Sequence, residues 1–217
     1  RELAKKRIGV TRNDLLESKN TVSGKELTKA LTALEQCGFI RKYHSYSTRK
    51  NGALYQLIDP LTLFHLTVLE SGRVDSWIRY IHSPAYYTWC GLAFEKVCLL
   101  HIKQIKQALG ISGISSQEYA WRSKKTTPGA QIDLLIDRRD DVINLCEMKY
   151  SEGEYAIDAA YEKELIHKAE TFRKESGTKK AVWLTMITAV GLARNPYRNE
   201  VIAELTGEDL FYTRERI

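Results

Sequence analysis

The 217-residue sequence predicts a mixed α/β (α+β) protein, because helical and strand-like patterns alternate along the chain. Two capping-box sequences open short helices near the start, and runs rich in β-branched and aromatic residues follow them. The second half alternates apolar strands with amphipathic helices. No stretch approaches the roughly 18 uncharged apolar residues that a membrane span needs. We therefore expect a soluble globular protein that does not insert into a membrane.

The length is that of one ordinary domain plus a smaller one. Ser-Gly and Ser-Pro breaks at residues 71–72 and 83–84 interrupt the chain. We predict a first domain at residues 1–70, a connecting segment at 71–84 and a second domain at 85–217. Because the chain begins with Arg1 in the helix-like stretch RELAKKR, we also expect a further segment upstream.

The four cysteines form no CxxC pair, and the sequence shows no signal peptide. They lie in apolar or helical surroundings, at Cys37, Cys90, Cys98 and Cys146. This pattern predicts reduced thiols in the core and a cytoplasmic protein.

The net charge of +6 is concentrated in the first third of the chain. Residues 1–75 contain 13 Lys and Arg against 8 Asp and Glu, which leaves a net +5 there. This asymmetry favours contact between the first third and a polyanion such as DNA.

Capping-box spacing predicts two short helices in this basic part. A hydroxyl residue precedes an acid by three positions at Thr11 and Asp14, and again at Ser23 and Glu26. The second helix carries its apolar face toward the core and ends at a glycine that follows Cys37. The predicted apolar face consists of Leu27, Ala30, Leu31 and Leu34.

Two strand-like runs, residues 39–47 and 53–58, flank a polar turn that ends at Gly52 and predict a hairpin. Helix, helix and hairpin in this order are typical of a winged helix, whose second helix enters the DNA major groove. The candidate DNA contacts are Lys25, Thr28, Lys29 and Thr32 on that helix and Arg49 and Lys50 on the wing. The alternative is a protein-binding module with a solvated lysine face.

A helical pattern covers residues 86–109, and Glu95 lies on its apolar side. A carboxylate in that position needs a metal ion, a lysine or a buried pair. A structural salt bridge is the simpler alternative to a metal site.

The most informative pattern is a pair of strand carboxylates with a lysine. Asp133 interrupts an apolar strand at residues 129–136, and a charged turn leads to a second strand at 142–150 that carries Glu147 and Lys149. Residues two apart on a strand share a face, so the acid and the lysine point into one site. Acidic oxygens bind hard cations such as Mg²⁺ or Mn²⁺, and the lysine can steady a phosphate. This combination suits cleavage of a phosphodiester bond.

The remainder predicts a helix at 157–174, strands at 180–188 and 201–205, and a short helix at 207–211. The inward face predicted for the helix at 157–174 consists of Ala160, Leu165, Ala169 and Phe172. On the first helix Lys163, Lys168 and Arg173 either contact a backbone phosphate or form a solvated face. Tyr119 and Trp121 either stack on bases or belong to the core.

Glu95, Asp133, Glu147 and Lys149, in this order and spacing, resemble the restriction-endonuclease-like PD-(D/E)xK superfamily over residues 86–187. The resemblance implies a three-layer αβα domain with a mixed central sheet. It also implies that Asp133 and Glu147 bind the metal, with Glu95 as an additional acid and Lys149 as the residue that stabilises the phosphate or orients water. Ile132 stands where the motif has proline.

The residues at 55–60 and 91–95 also resemble AAA+ type ATPases that carry a winged helix and a nuclease-like C-terminal domain. This implies an ATPase segment upstream, since the chain itself contains no GxxxxGK[ST] phosphate loop. The sequence thus predicts a Mg²⁺-dependent module that cleaves or processes DNA. A non-cleaving regulatory module and a winged-helix transcriptional regulator remain alternatives, and oligomerisation is open.

Overall fold

The computed structural model describes residues 1–6, 8–18, 23–46, 52–70, 72, 74, 76–123 and 128–211. The fold is mixed α/β, as predicted, and it divides into two compact units, Arg1–Val97 and Cys98–Ile217. The predicted domains at residues 1–70 and 85–217 remain a prediction. None of the helices that the structure describes combines the length and apolar character needed to cross a bilayer.

Within its described residues, the first unit combines short helices with a small antiparallel sheet. The sheet has the order β1-β3-β2, formed by β1 (Val10–Thr11), β2 (Ile40–Ser45) and β3 (Leu54–Leu57). The helices are α1 (Arg12–Leu16), α2 (Gly24–Gln36), α3 (Pro60–Phe64), α4 (Trp77–Tyr80) and most of α5 (Pro84–Leu100), with a π-helical turn at His65–Leu69. The two predicted helices and the predicted hairpin strands are therefore present.

Both predicted capping boxes are present in the structure. Thr11 and Asp14 exchange hydrogen bonds at the start of α1, and Ser23 and Glu26 do the same at the start of α2. These bonds satisfy backbone N–H groups that the first turn of a helix leaves without partners. After α2 the chain turns at Gly38, whose φ of 76° is left-handed as predicted.

The core of the first unit is built from residues of helices and strands together. It contains Val10, Leu15, Leu27, Leu31, Ile40, Leu57 and Leu63. The predicted apolar face of α2 is wrong in part, because Ala30 and Leu34 are exposed. A helix of 13 residues that packs on a three-stranded sheet covers only a narrow stripe, and here Leu27 and Leu31, one turn apart, form that stripe. Cys37 is also exposed and is not the core thiol that was predicted.

A glycine fixes the start of β1. Gly9 has φ 89°, and a Cβ at this position would lie 2.6 Å from the backbone oxygen of Tyr55. Val10 pairs with that same Tyr55 in β3. The close approach of these two backbones therefore requires the absence of a side chain at residue 9.

Over the residues described in the second unit, its sheet has five strands in the order β4-β5-β6-β7-β8. They are β4 (Ser116–Arg122), β5 (Gln131–Arg138), β6 (Val142–Lys149), β7 (Ala181–Thr188) and β8 (Val201–Thr206). The first three are antiparallel, and β6, β7 and β8 are parallel. A parallel pair needs a crossover, and α7 (Ala159–Ser176) provides it between β6 and β7.

The predicted helix at residues 86–109 is two helices in the structure. α5 ends at Leu100, and α6 (Ile102–Ala108) begins after His101, whose φ of −108° and ψ of 30° leave the helical region. The ring of His101 packs edge-on against Phe211, with 4.8 Å between ring centroids. The apolar residues continue across this break, so their periodicity gives no sign of it.

α7 packs on the sheet through one continuous stripe. Leu165 and Phe172 are buried as predicted, and Phe172 stacks edge-on against Trp121 of β4 at 5.3 Å. Trp121 and Tyr119 are both buried, so these aromatic residues belong to the core. The prediction that Ala160 faces inward is wrong, since Ala160 is exposed and the neighbouring Tyr161 is buried in its place.

Candidate functional site

The two strand carboxylates of the second unit are neighbours across a strand pair. Leu134 of β5 pairs with Cys146 of β6 in antiparallel register. Asp133 directly precedes Leu134, and Glu147 directly follows Cys146, so the two acids lie just beyond the last pair of this ladder. Asp133 is close enough for its negative charge to act on the Glu147 carboxyl. Gln131 donates a hydrogen bond of 2.8 Å to Asp133.

Glu147 is buried, with 8% of its surface exposed, on the sheet face that α7 covers. Burial raises the pKa of the Glu147 carboxyl, because a surrounding with little water disfavours the charged form. The positive charge of Lys168 opposes this shift, and the negative charge of Asp133 adds to it. Its oxygen Oε2 also lies 3.3 Å from the hydroxyl of Tyr161, which donates to it.

Lys168 of α7 is the closest cation to Glu147 among the described residues. Its Nζ lies 3.0 Å from Oε2 of Glu147 and 3.0 Å from Oε1 of Glu164. The Lys168 side chain is 14% exposed, whereas that of Glu164 is 53% exposed. Burial lowers the pKa of Lys168, but the charges and hydrogen bonds of Glu147 and Glu164 outweigh this and raise it above its ordinary value. The ammonium therefore bridges a buried carboxylate and an exposed one.

Lys149 completes the predicted strand motif. It lies two residues after Glu147 on β6, and its Nζ is 4.5 Å from the centre of the Tyr161 ring. Its positive charge opposes in part the rise in the pKa of Glu147 that burial causes. In the parallel register, Lys149 pairs with Thr188 of β7, so both side chains belong to the same face.

Thr188 is fully buried, and its Oγ1 has no hydrogen-bond partner among the described residues. Buried hydroxyl groups nearly always have a partner, because an unsatisfied one destabilises the fold. Thr188 pairs with Lys149, two residue pairs beyond Glu147 and Met186 along the two strands. It marks a polar position at the same end of the sheet as the two acids.

The two strand carboxylates are a small set of possible metal ligands. Within the described parts of the chain, no group of three or more His, Cys, Asp and Glu side chains is arranged to hold a metal. Mg²⁺ in phosphoryl-transfer sites is often bound by one or two carboxylates together with waters and substrate phosphates. Asp133 and Glu147 are two carboxylates of this kind, and Glu147 is already paired with Lys168.

Glu95 belongs to the first compact unit, and one of its partners is the next residue. Its Oε1 accepts a hydrogen bond from Nζ of Lys96, a lysine of which only 1% is exposed. A lysine was one of the partners expected for a carboxylate at this position. The role of Glu95 as an additional acid of the metal site stays a prediction.

Of the six candidate nucleic-acid contacts, the four on α2 lie in described residues. Lys25 and Lys29 are exposed, one turn apart on α2. Thr28 has a structural role, because its hydroxyl donates to the Gly24 carbonyl at 2.9 Å and accepts from Arg12 at 3.2 Å. Arg49 and Lys50 lie outside the described residues.

The ion pair of Lys168 with Glu147 was missed by the sequence analysis, which placed this lysine on an outer face with Lys163. Its position relative to Leu165 and Phe172, three residues after one and four before the other, was the available signal. A lysine in a stripe of apolar residues at helical spacing faces the core and needs an acid there.

Comparison of the chain with family models, with curated proteins and with solved structures finds no match in any of the three.

Proposed function

We propose that the second unit is a Mg²⁺-dependent phosphodiesterase that cleaves or processes DNA. The observation that carries this proposal is the position of Asp133 and Glu147 on neighbouring strands, just beyond the last pair of the β5-β6 ladder, with Lys149 two residues after Glu147 on β6. Two acids and a lysine at one end of a sheet are the groups that metal-assisted cleavage of a phosphodiester requires.

Each of these side chains has a distinct proposed role. Asp133 and Glu147 would hold the cation through their oxygens, and Tyr161 orients Glu147 through its hydrogen bond. A divalent cation held there would supply Lewis-acid chemistry, which is the activation of water and the neutralisation of phosphate charge. Lys149 contacts a phosphate oxygen and stabilises the charge that develops on it. Glu95 is proposed as an additional acid on the evidence of its sequence position alone.

We further propose the restriction-endonuclease-like arrangement for this unit and the winged-helix arrangement for the first. The antiparallel β4-β5-β6 followed by the parallel β6-β7-β8, with α7 as the crossover, supports the former. The succession of α1, α2, β2 and β3 supports the latter. In a winged helix the exposed Lys25 and Lys29 of α2 would contact DNA phosphates.

The proposal is tested by Mg²⁺ and Mn²⁺ titration in a calorimeter, with cleavage of plasmid and linear DNA assayed in parallel. The wild type is compared with Asp133→Asn, which removes one ligand charge, and with Asp141→Asn as a matched control. Asp141 lies in the exposed turn between β5 and β6 with φ 61°, a conformation that asparagine tolerates. We expect Asp133→Asn to lose metal binding and cleavage together, and Asp141→Asn to keep both.

A second candidate is a non-cleaving module that binds nucleic acid or protein. The observation that favours it is the ion pair between Lys168 and Glu147, which neutralises one of the two acids without a metal. Metal binding without cleavage of either DNA substrate would support this candidate. Absence of metal binding in the wild type and in variants of the ion pair would exclude the nuclease function.

A further inference from the structure

We propose that Lys168 is a built-in counter-ion that competes with the divalent cation for Glu147 and moves to Glu164 when the cation binds. This inference rests on the proposed metal site and adds a residue of α7 to it. It concerns the exchange of the Lys168 ammonium for a divalent cation at Glu147.

The geometry of Lys168 is that of a cation already in contact with a metal ligand. Its Nζ lies 3.0 Å from Oε2 of Glu147, and the same oxygen accepts the hydroxyl of Tyr161. An oxygen with two donors has little capacity left for a metal ion. For Glu147 to bind a metal through this oxygen, the ammonium must withdraw.

The structure also provides a place for the ammonium to go. Glu164 lies one helical turn before Lys168 on α7, and its Oε1 is 3.0 Å from the same Nζ. Its side chain is 53% exposed, whereas the Glu147 side chain is 9% exposed. A lysine side chain can therefore leave the buried acid without losing every carboxylate partner, and its charge moves toward solvent.

Charge balance gives the exchange its direction. Asp133 and Glu147 are adjacent acids, and the described residues place two cations close to them, Lys149 and Lys168. Two acids close together in a buried site repel each other unless a positive charge lies between them. Lys168 supplies that charge before the metal binds, and the divalent cation replaces it afterwards. The site is thereby kept folded without its metal.

The first test uses the wild-type protein and follows the reactivity of individual lysines. The protein is labelled with a small amine-acylating reagent, with and without saturating Mg²⁺, and the extent of labelling is read by peptide mass spectrometry. We expect labelling of Lys168 to rise several-fold with Mg²⁺, because its ammonium leaves a buried partner. Lys174, an exposed lysine of the same helix, serves as the internal reference and stays unchanged. In Asp133→Asn, Mg²⁺ leaves Lys168 protected.

The second test compares Mg²⁺ affinities by calorimetry. Lys168→Met removes the competitor, and we expect it to bind Mg²⁺ roughly tenfold more tightly, the scale on which partners of ligating groups change metal affinity. Lys174→Met makes the same change of charge elsewhere on α7 and keeps the wild-type affinity. The labelling experiment needs no substitution at Lys168, so it decides the question even if Lys168→Met fails to fold.

The outcomes separate this inference from the proposed function. If the wild type binds Mg²⁺ but Lys168 labelling does not change and Lys168→Met binds no more tightly, the exchange is refuted and the metal site stands. If only Lys168→Met binds Mg²⁺, the competition is complete in the wild type and the inference is supported. If neither protein binds Mg²⁺, the metal site and the exchange both fail.

Discussion

Single residues of the first unit hold its chain in conformations that few side chains permit. Gly9 and Gly38 both have left-handed φ angles, 89° and 76°. They differ in their surroundings, because a Cβ at Gly9 would meet the Tyr55 backbone, whereas one at Gly38 would meet nothing within 4 Å. An alanine at Gly38 would therefore experience only the strain of a left-handed backbone, whereas an alanine at Gly9 would also clash with the Tyr55 backbone.

Gly9→Ala is expected to destabilise the protein more than Gly38→Ala. The left-handed conformation alone costs an alanine about 1–2 kcal/mol, which is the loss we expect at Gly38. At Gly9 the clash with Tyr55 would also displace β1 from β3. The total loss in the free energy of unfolding is therefore expected to exceed about 2 kcal/mol. Urea unfolding followed by tryptophan fluorescence measures both. Equal losses in the two variants would show that the close backbone approach has no energetic effect.

Asp14 makes the first unit sensitive to acid. The backbone N–H of Thr11, and then its hydroxyl, donate to the carboxylate and lower the pKa of Asp14 below its ordinary value of 3.8. A lowered pKa in the folded state means that the stabilisation is present above the unfolded value and is lost as the pH falls through the folded one.

Asp14→Ala is therefore expected to lower the free energy of unfolding at neutral pH by about 0.3–1 kcal/mol, the usual effect of a negative charge in the first turn of a helix. The difference from the wild type should shrink below pH 3.8 and vanish at lower pH, where both proteins lack the charge. Thermal unfolding measured at a series of acid pH values checks this. A difference that is constant down to the lowest pH would contradict the assigned role of the carboxylate.

At the scale of elements, α7 and β6 are joined by the ion pair of Lys168 and Glu147. Removing one member of a buried pair leaves an uncompensated charge, which typically destabilises by about 3–5 kcal/mol. Lys168→Met should show a loss of this order in urea unfolding. The double variant Glu147→Met with Lys168→Met should lose less, because an apolar pair carries no desolvation penalty. A double variant less stable than the single one would contradict this account.

The same pair predicts a loss of stability at alkaline pH. The pKa of Lys168 is raised from 10.5 by Glu147 and Glu164, against the effect of burial. A raised pKa in the folded state gives a stabilisation that is full below the unfolded value and is lost as the pH rises through the folded one. Unfolding experiments above pH 10.5 should therefore show the wild type approaching Lys168→Met. Parallel pH profiles for the two proteins would contradict this.

Local signals in the sequence predict the elements well, and tertiary contacts explain where they fail. The caps at Thr11 and Ser23, and the strands that carry Asp133 and Glu147, follow from neighbouring residues alone. The break at His101 coincides with a ring contact to Phe211, which is distant in sequence. The pairing of Lys168 with Glu147 likewise joins a helix and a strand, and single-element periodicity cannot identify such partners.

For the molecule as a whole, the uneven charge is the property that bears on DNA binding. Of the net charge of +6, residues 1–75 carry +5. If Lys25 and Lys29 contact phosphates, each releases about 0.9 counterion on binding. Replacing both by alanine should then lower the slope of log affinity against log salt by about 2. The measurement is fluorescence anisotropy of a labelled duplex at several salt concentrations.

The control for this experiment replaces Lys174 and Lys179, two exposed lysines of the second unit, with alanine. This variant has the same change of net charge, so an effect of overall charge would appear in both proteins. An unchanged slope in the Lys25 and Lys29 variant would exclude a phosphate contact by α2. Mg²⁺ affinity serves as a second readout, and we expect the α2 variant to retain it.

The short turn between β5 and β6 determines whether the two acids meet at all. The turn consists of Arg139, Asp140 and Asp141. By the usual rise per strand residue, Asp133 and Glu147 each lie roughly 17 Å from this turn along their own strand. Deleting one turn residue would shift the ladder by one position and place the acids on opposite faces. The spacing of the site is thus encoded in loop length. Deletions in this exposed turn would be more damaging than substitutions there.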